Sequence, residues 1–406
     1  MADTDQGHDR RSCIAPEPRD CAVTRGLSLW LDALRVAATL IVVFSHVAYA
    51  RFTRGDYEFV RELNVGSDAV IVFFVISGLV IAFAAERDKT FGTYAFNRMT
   101  RLLSVLLPAI LLTFVLDRMG RPIDVSAYPN SFYQHLPLWE MLVRGLTMSN
   151  EWGLFERVRL GTNGPLWSLS YEAAYYVLFG VAVFCTGARR LVLLAALGVV
   201  FGPRILLLMP AWLMGVAVWH YVKSGRAAQM TEGVARSLAW GGPLTYVLCQ
   251  AFNVPDMLAQ ATAEAFAPAH YRYILVFSDE FVWNGMIGLM TALHVIGMAR
   301  LAQNYRGAHP HLRWWAGASF SIYVVHYPVL HLIDAAFPAE TVSRDALLFF
   351  GSVAAGLVFA QVFERPIGAI RTAVRSIAAR SQIIGRRQSQ PHPQATLLPE
   401  TPAQQR

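Results

Sequence analysis

The chain has 406 residues, of which 55% are hydrophobic and only 16% charged, with a mean hydropathy of +0.38. Those proportions exclude an ordinary soluble enzyme and a disordered chain, and they mark a polytopic membrane protein. The net charge of +7 fits the Lys and Arg that gather on cytoplasmic flanks and the pull of anionic lipid, so it implies a bilayer and no nucleic acid.

Residues 1–26 are polar and predict a disordered cytoplasmic tail. The first apolar run, 27–50, carries Asp32, Arg35 and His46. On a helix, Arg35 and His46 are separated by about 16 Å of rise and by only about 20° beyond three full turns, so both point the same way. Asp32 lies one turn before Arg35 and can partner its guanidinium. Ionisable groups inside a span face a bundle interior or a wet cavity and mark a reaction site or pathway. Ala48-Tyr49-Ala50 imitates a signal-peptidase site, but an apolar region containing Arg35 predicts an uncleaved span.

Nine further candidate spans follow: 67–85, 102–117, 166–185, 190–204, 206–222, 237–253, 280–299, 314–334 and 346–363. The pair around Pro203 and Pro210 also reads as one broken helix. An all-α polytopic bundle of about ten spans puts both termini in the cytoplasm, because that orientation leaves most of the 35 Lys and Arg inside. The second span contains FFVISG, with Ser77-Gly78 suited to close helix approach. Arg98 and Arg101 stand one turn apart at the entrance of the third span, a spacing that serves either a phosphate or ordinary flanking charge. Within the external loop 118–165, residues 136–148 are too few to cross and predict an interfacial helix.

The fourth span opens with GPLWSLSYEAAYY and carries Glu172 about two turns inside, at a depth comparable to His46, which makes the histidine its expected partner. His326 and Pro328 sit in the ninth span, where a lone histidine reads first as an interhelical hydrogen bond. Cys13, Cys21, Cys185 and Cys249 have no metal-ligand spacing and imply no disulfide framework. The absence of an internal repeat opposes an inverted-repeat transporter.

Taken in order, LDALRVAATLIVVFSH, FFVISG, Arg98-Met99-Thr100-Arg101, GPLWSLSYEAAYY, SFSIYVVHYP and FERP (363–366) resemble the signature elements of the bacterial acyltransferase-3 integral-membrane acyltransferases. The resemblance covers residues 28–366, so a membrane acyltransferase domain is expected over 27–366 and a basic, largely disordered cytoplasmic tail over 367–406. Two positions depart from the family pattern. Ser104 stands where many members have a proline after the arginine pair, and Ala173 replaces a second acidic residue, which concentrates any acidic role on Glu172.

The resemblance implies a multi-pass enzyme of the bacterial inner membrane. It would move an acyl group, acetyl foremost, from cytoplasmic acyl-CoA to a hydroxyl of a carbohydrate or glycolipid acceptor, with no bound cofactor and no metal. His46 is then the general base, since a neutral imidazole suits proton abstraction near pH 7, and Glu172 orients it. Arg35 holds the donor or stabilises thioester charge, and Arg98 and Arg101 grip nucleotide phosphates. Asp32, Ser77, Trp167 and Ser168 complete the substrate-binding set. The lack of an additional domain after the tenth span implies a stand-alone transferase. A proton-coupled transporter using the same Arg, His and Glu as a relay is the alternative. The acyl chain, the acceptor and the oligomeric state are left open.

Overall fold

The computed structural model describes residues 23–266, 274–337, 341–374 and 376. Within them the chain is helical, with one isolated antiparallel bridge between Gln134 and Gly161. The long helices are α1 Arg25–Val47, α2 Val65–Asp88, α3 Phe91–Gly120, α4 Trp167–Phe184, α5 Gly187–Lys223, α6 Glu232–Ala251, α7 Phe281–Leu301, α8 Ser319–Ala336 and α9 Val342–Phe363. Threonines set four of the starts: Thr24 accepts the amide of Leu27, Thr90 that of Thr93, Thr231 that of Val234 and Thr341 that of Arg344, which satisfies donors that a first helical turn leaves open. Most of the expected tails lies outside the described residues. Residues 367–374 are helical, however, and Arg371 returns to α3 by donating to Thr100 Oγ1 (3.0 Å) and the Asn97 carbonyl (2.7 Å).

Seven of the described helices are long and apolar enough to cross a membrane: α1, α2, α3, α4 with its 3-10 lead-in, α5, α7, and α9 continued to Val374. Pro310–Ala316 and α8, bent by 51° at a short break, make an eighth. All ten candidate segments fall on these helices and α6, with 190–204 and 206–222 sharing α5.

Gly202 divides α5. Its φ of 76° and ψ of 175° suit glycine alone, and Pro203 then removes a backbone donor. Beside the break Arg204 pairs with Glu151 (3.8 Å) in the connection between α3 and α4, whereas Lys223 at the far end binds Glu86 of α2 (2.8 Å). Gly187 follows directly on α4, whose last residue, Phe184, packs on Tyr94 near the start of α3. The two arms of α5 therefore run in opposite directions, and the chain reverses at Gly202. We call the end of the bundle where α1 and α3 begin the entry end, and the opposite one, which carries the 121–163 connection, the loop end.

Packing against α2 explains the small residues. A Cβ at Gly78 would lie 2.0 Å from the Trp212 carbonyl oxygen, and one at Gly215 would lie 1.9 Å from that of Val75. The backbones of α2 and the second arm of α5 thus touch directly. In the loop-end connection, Leu138–Leu146 forms the short two-faced helix expected there, with Met141 and Gly145 buried and Trp139 and Val143 exposed.

Candidate active site

Two polar regions lie on either side of the middle of the bundle. At the entry half, a cavity of about 160 Å³ is lined by Arg35 from α1, Ser77 from α2, Arg98 and Arg101 from α3, and Ser168 and Glu172 from α4. Arg35 has Asp32 one turn earlier at 3.8 Å, as the spacing predicts. Arg98 lies 3.6 Å from Asp88, and its buried Nε has no hydrogen-bond partner. The Arg101 guanidinium makes no hydrogen bond or ion pair among the described residues, although its carbonyl accepts from Ser104 Oγ (3.2 Å). One carboxylate thus faces three guanidiniums across a partly enclosed space.

Glu172 is fixed at the inner wall. It accepts hydrogen bonds from Ser77 Oγ (2.5 Å) and Tyr176 Oη (2.6 Å), and the indole of Trp212 donates to Ser77 (3.2 Å). The sequence put Glu172 beside His46, and this expectation is corrected: depth alone could not reveal that its face of α4 turns to α2 at the entry cavity. Tyr176 was missed, although its i+4 spacing from Glu172 is a readable signal. Ser168 lines the same cavity and contacts Tyr323 Oη (2.7 Å), which donates to the Pro165 carbonyl (2.9 Å). Asp32 and Trp167 do not line it. Trp167 is buried and stacks on Phe277 with 4.3 Å between ring centroids. Glu364 of the closing FERP motif anchors the start of α8 by accepting the Ser321 amide (2.9 Å).

Toward the loop end, His46 Nδ1 lies 2.7 Å from His326 Nε2, and the rings are nearly parallel at 10°. His326 is fully buried. Its Nδ1 is 2.7 Å from the Tyr323 carbonyl oxygen and 3.2 Å from that of Ile322. Carbonyls only accept, so Nδ1 of His326 carries a proton. In the neutral ring Nε2 is then an acceptor, and His46 donates to it from Nδ1. His46 Nε2 is left with its lone pair. Tyr323, which borders the entry cavity, is one turn from His326, so α8 connects the two regions.

Around His46 at the loop end the chain gathers arginines. Arg51 stacks on Phe52 (4.0 Å) and Phe132 (4.4 Å) and contacts His331 Nε2 (2.7 Å). Arg61 lies over Tyr49 (4.0 Å) and donates to Ser45 Oγ (2.8 Å). Arg159 donates to the Ser131 carbonyl and approaches Phe132 (5.9 Å). Burial lowers the pKa of the Arg51 and Arg159 guanidiniums from the usual arginine value. No metal-ligand cluster occurs among the described residues.

This arrangement of charged side chains inside a helical bundle is that of a membrane enzyme family rather than a structural scaffold. The chain belongs to the acyltransferase-3 family, whose acyltransferase domain matches residues 28–364. It is 32% identical over 155 residues to "Acyltransferase MdmB" of Streptomyces mycarofaciens, covering 37% of each chain. It is 29% identical over 155 residues to an "O-acetyl transferase" of Shigella phage Sf6, covering 37% of this chain and 45% of the relative. Over 345 residues it is 25% identical to "Putative peptidoglycan O-acetyltransferase YrhL" of Bacillus subtilis (strain 168), covering 74% of this chain and 48% of the relative. The chain thus spans less than half the length of each of these relatives. No solved structure matches it.

Proposed function

We propose that the protein is a membrane O-acyltransferase that moves an acyl group, acetyl foremost, from acyl-CoA to a hydroxyl of a carbohydrate or glycolipid acceptor. The single observation that carries this reading is the His46–His326 hydrogen bond, which leaves an unprotonated imidazole nitrogen between an arginine-lined cavity and the loop-end face. The helices make ten crossings if α6 and both arms of α5 each count. Both termini then lie in the cytoplasm of a bacterial inner membrane, with the entry end facing inward.

Arg98 and Arg101 hold the CoA phosphates at the entry mouth, and Arg35 holds the pantetheine end or the thioester oxygen. Glu172 fixes Ser77 and Tyr176 along the acyl chain's approach. His46 Nε2 takes the acceptor's hydroxyl proton as the oxygen attacks the thioester carbonyl. The tetrahedral adduct then collapses: the carbon–sulfur bond breaks, and CoA leaves as a thiolate that recovers the proton from the imidazolium. His326 holds the required tautomer and shares the charge, as the third member of a catalytic triad does.

The test is acetyl-CoA-dependent release of CoA thiol by the purified protein in lipid nanodiscs, with a crude surface glycan as acceptor. Thiol release that needs both substrates is expected. Substrate counterflow in vesicles without thiol release would overturn the reading in favour of a transporter.

A further inference from the structure

The loop end carries a second chamber, of about 410 Å³, lined by Ser131, Tyr133, Gln134, His135, Arg157 and Arg159 among other polar residues. Its lining holds two hydroxyls, two amides, an imidazole and two guanidiniums, and no carboxylate. Of the two arginines, Arg157 is neutralised by Glu151 at 3.1 Å. Arg159 has no carboxylate within ion-pair distance among the described residues, and the same is true of Arg51 and Arg61.

These three cations are linked to the His46 region through aromatic rings. Phe132 lies between Arg51 (4.4 Å) and Arg159 (5.9 Å), and its ring meets Tyr49 at 5.4 Å. Tyr49 in turn stacks on His46 at 5.9 Å with the rings 5° from parallel, and supports Arg61 at 4.0 Å. Asp334, whose field also reaches Arg51, is taken up by Arg344. The neutral partners of the three guanidiniums are His331, Ser45 and the Ser131 carbonyl.

Partly buried cations without counter-ions are costly, and a concentration of them at a membrane protein's outer end opposes the usual distribution of arginine. Ring faces and neutral acceptors hold the guanidiniums in place but do not cancel their charge. The missing element is an anion. We propose that this chamber, with Arg159 in its wall, and the adjoining aromatic ground that carries Arg51 and Arg61 beside His46 together form the acceptor subsite, and that it selects a hydroxylated acceptor bearing an anionic group, a sugar carboxylate or a glycosyl phosphate, with Arg51, Arg61 and Arg159 receiving the charge while a hydroxyl faces His46 Nε2. The proposal rests on the acyltransferase reading above and names the class of its acceptor.

Equilibrium dialysis of the full chain in neutral-lipid nanodiscs tests it, with methyl glucoside, methyl glucuronide and glucose 1-phosphate as probes. At low salt at least one anionic probe should bind about tenfold tighter than the neutral glycoside, and the gap should close as the Debye length shrinks. Preference for the glucuronide alone identifies a uronate-type acceptor, and preference for the phosphate alone a phosphate-linked one. The R51Q/R159Q variant should lose the preference, while R51K/R159K should retain part of it and report on folding. Equal binding of all three probes, absence of binding, or a preference that survives R51Q/R159Q would overturn the proposal. Thiol release on the same preparations separates the two readings. Turnover without anion preference defeats only the acceptor class, and anion preference without turnover on any acceptor defeats the acyltransferase reading.

Discussion

His46 on α1 and His326 on α8 stand 280 positions apart in sequence and share one 2.7 Å hydrogen bond, which fixes the direction of both imidazole dipoles. The carbonyl of Tyr323 sets the order by claiming the Nδ1 proton of His326. Everything expected of His46 as a base follows from a backbone atom on another helix.

His46→Ala should abolish acyl transfer, because no other described side chain offers a free imidazole lone pair at that point. Folding should persist, as judged by the thermal midpoint in detergent. Transfer within about threefold of wild type would sink the base assignment, since general-base catalysis contributes about 10²–10⁴-fold.

His326→Ala should lower kcat by about 10²-fold with donor KM nearly unchanged, because it removes orientation rather than a donor contact. Gln offers an amide oxygen that can accept the His46 Nδ1 proton, so His326→Gln should recover part of the rate. The pH–rate profile separates orientation from packing: its lower limb should move in the Ala variant and return toward wild type in Gln. Equal rates and superimposable profiles for the two variants would reduce His326 to a core residue.

The double variant R98Q/R101Q should raise acyl-CoA KM strongly and leave acceptor KM alone. Charge-assisted hydrogen bonds contribute about 1.5–3 kcal/mol each, so each arginine should be felt as a tenfold change or more. Wild-type donor affinity should weaken with salt, and the variant's should weaken less. Normal donor binding by the variant would reduce the pair to a topology signal.

Gly78→Ala and Gly215→Ala should each destabilise the bundle by about 2 kcal/mol or more, because the added methyl meets a carbonyl oxygen of the facing helix, at 2.0 and 1.9 Å, with no flexible side chain to yield. Gly241→Ala is the control. Nothing lies within 4 Å of its Cβ position, and alanine is the better helix former, so it should be neutral or slightly stabilising. Thermal unfolding in detergent would decide, and equal midpoints for Gly78→Ala and Gly241→Ala would refute the contact.

An introduced cysteine at residue 130, in the loop-end connection, should be labelled from outside intact spheroplasts by a membrane-impermeant maleimide. Labelling only after lysis would invert the proposed topology.

The sequence shows the spans plainly because each is an apolar run with few charges, and the exceptions, Arg35, His46, Glu172 and His326, stand out against that background. Helical period placed Arg35 with Asp32, a contact within one turn. It could not assign partners between helices. Depth suggested Glu172 for His46, yet Glu172 turns toward Ser77 and the histidine finds His326. Pro203 and Pro210 drew attention to the break in α5, while the residue that permits the reversal is Gly202, whose need for a positive φ leaves no mark in hydropathy. Arg51, Arg61 and Arg159 escaped notice because connections have no periodicity, and because the rings that gather them, Phe132 and Tyr49, meet only on folding.

The direct backbone contact of α2 with the second arm of α5 governs what can move. Two helices whose peptide groups touch have no side-chain layer that could slide or re-pack, so they shift together or not at all. Ser77 is one residue from Gly78, and its hydroxyl is bound to Glu172. That wall of the entry cavity is therefore a fixed datum, against which, on the proposed function, acyl chain length would be measured much as a stop on a bench sets the length of a cut. On that reading, a protein adapted to a longer acyl group would have to be rebuilt from the facing side, at Tyr323 of α8.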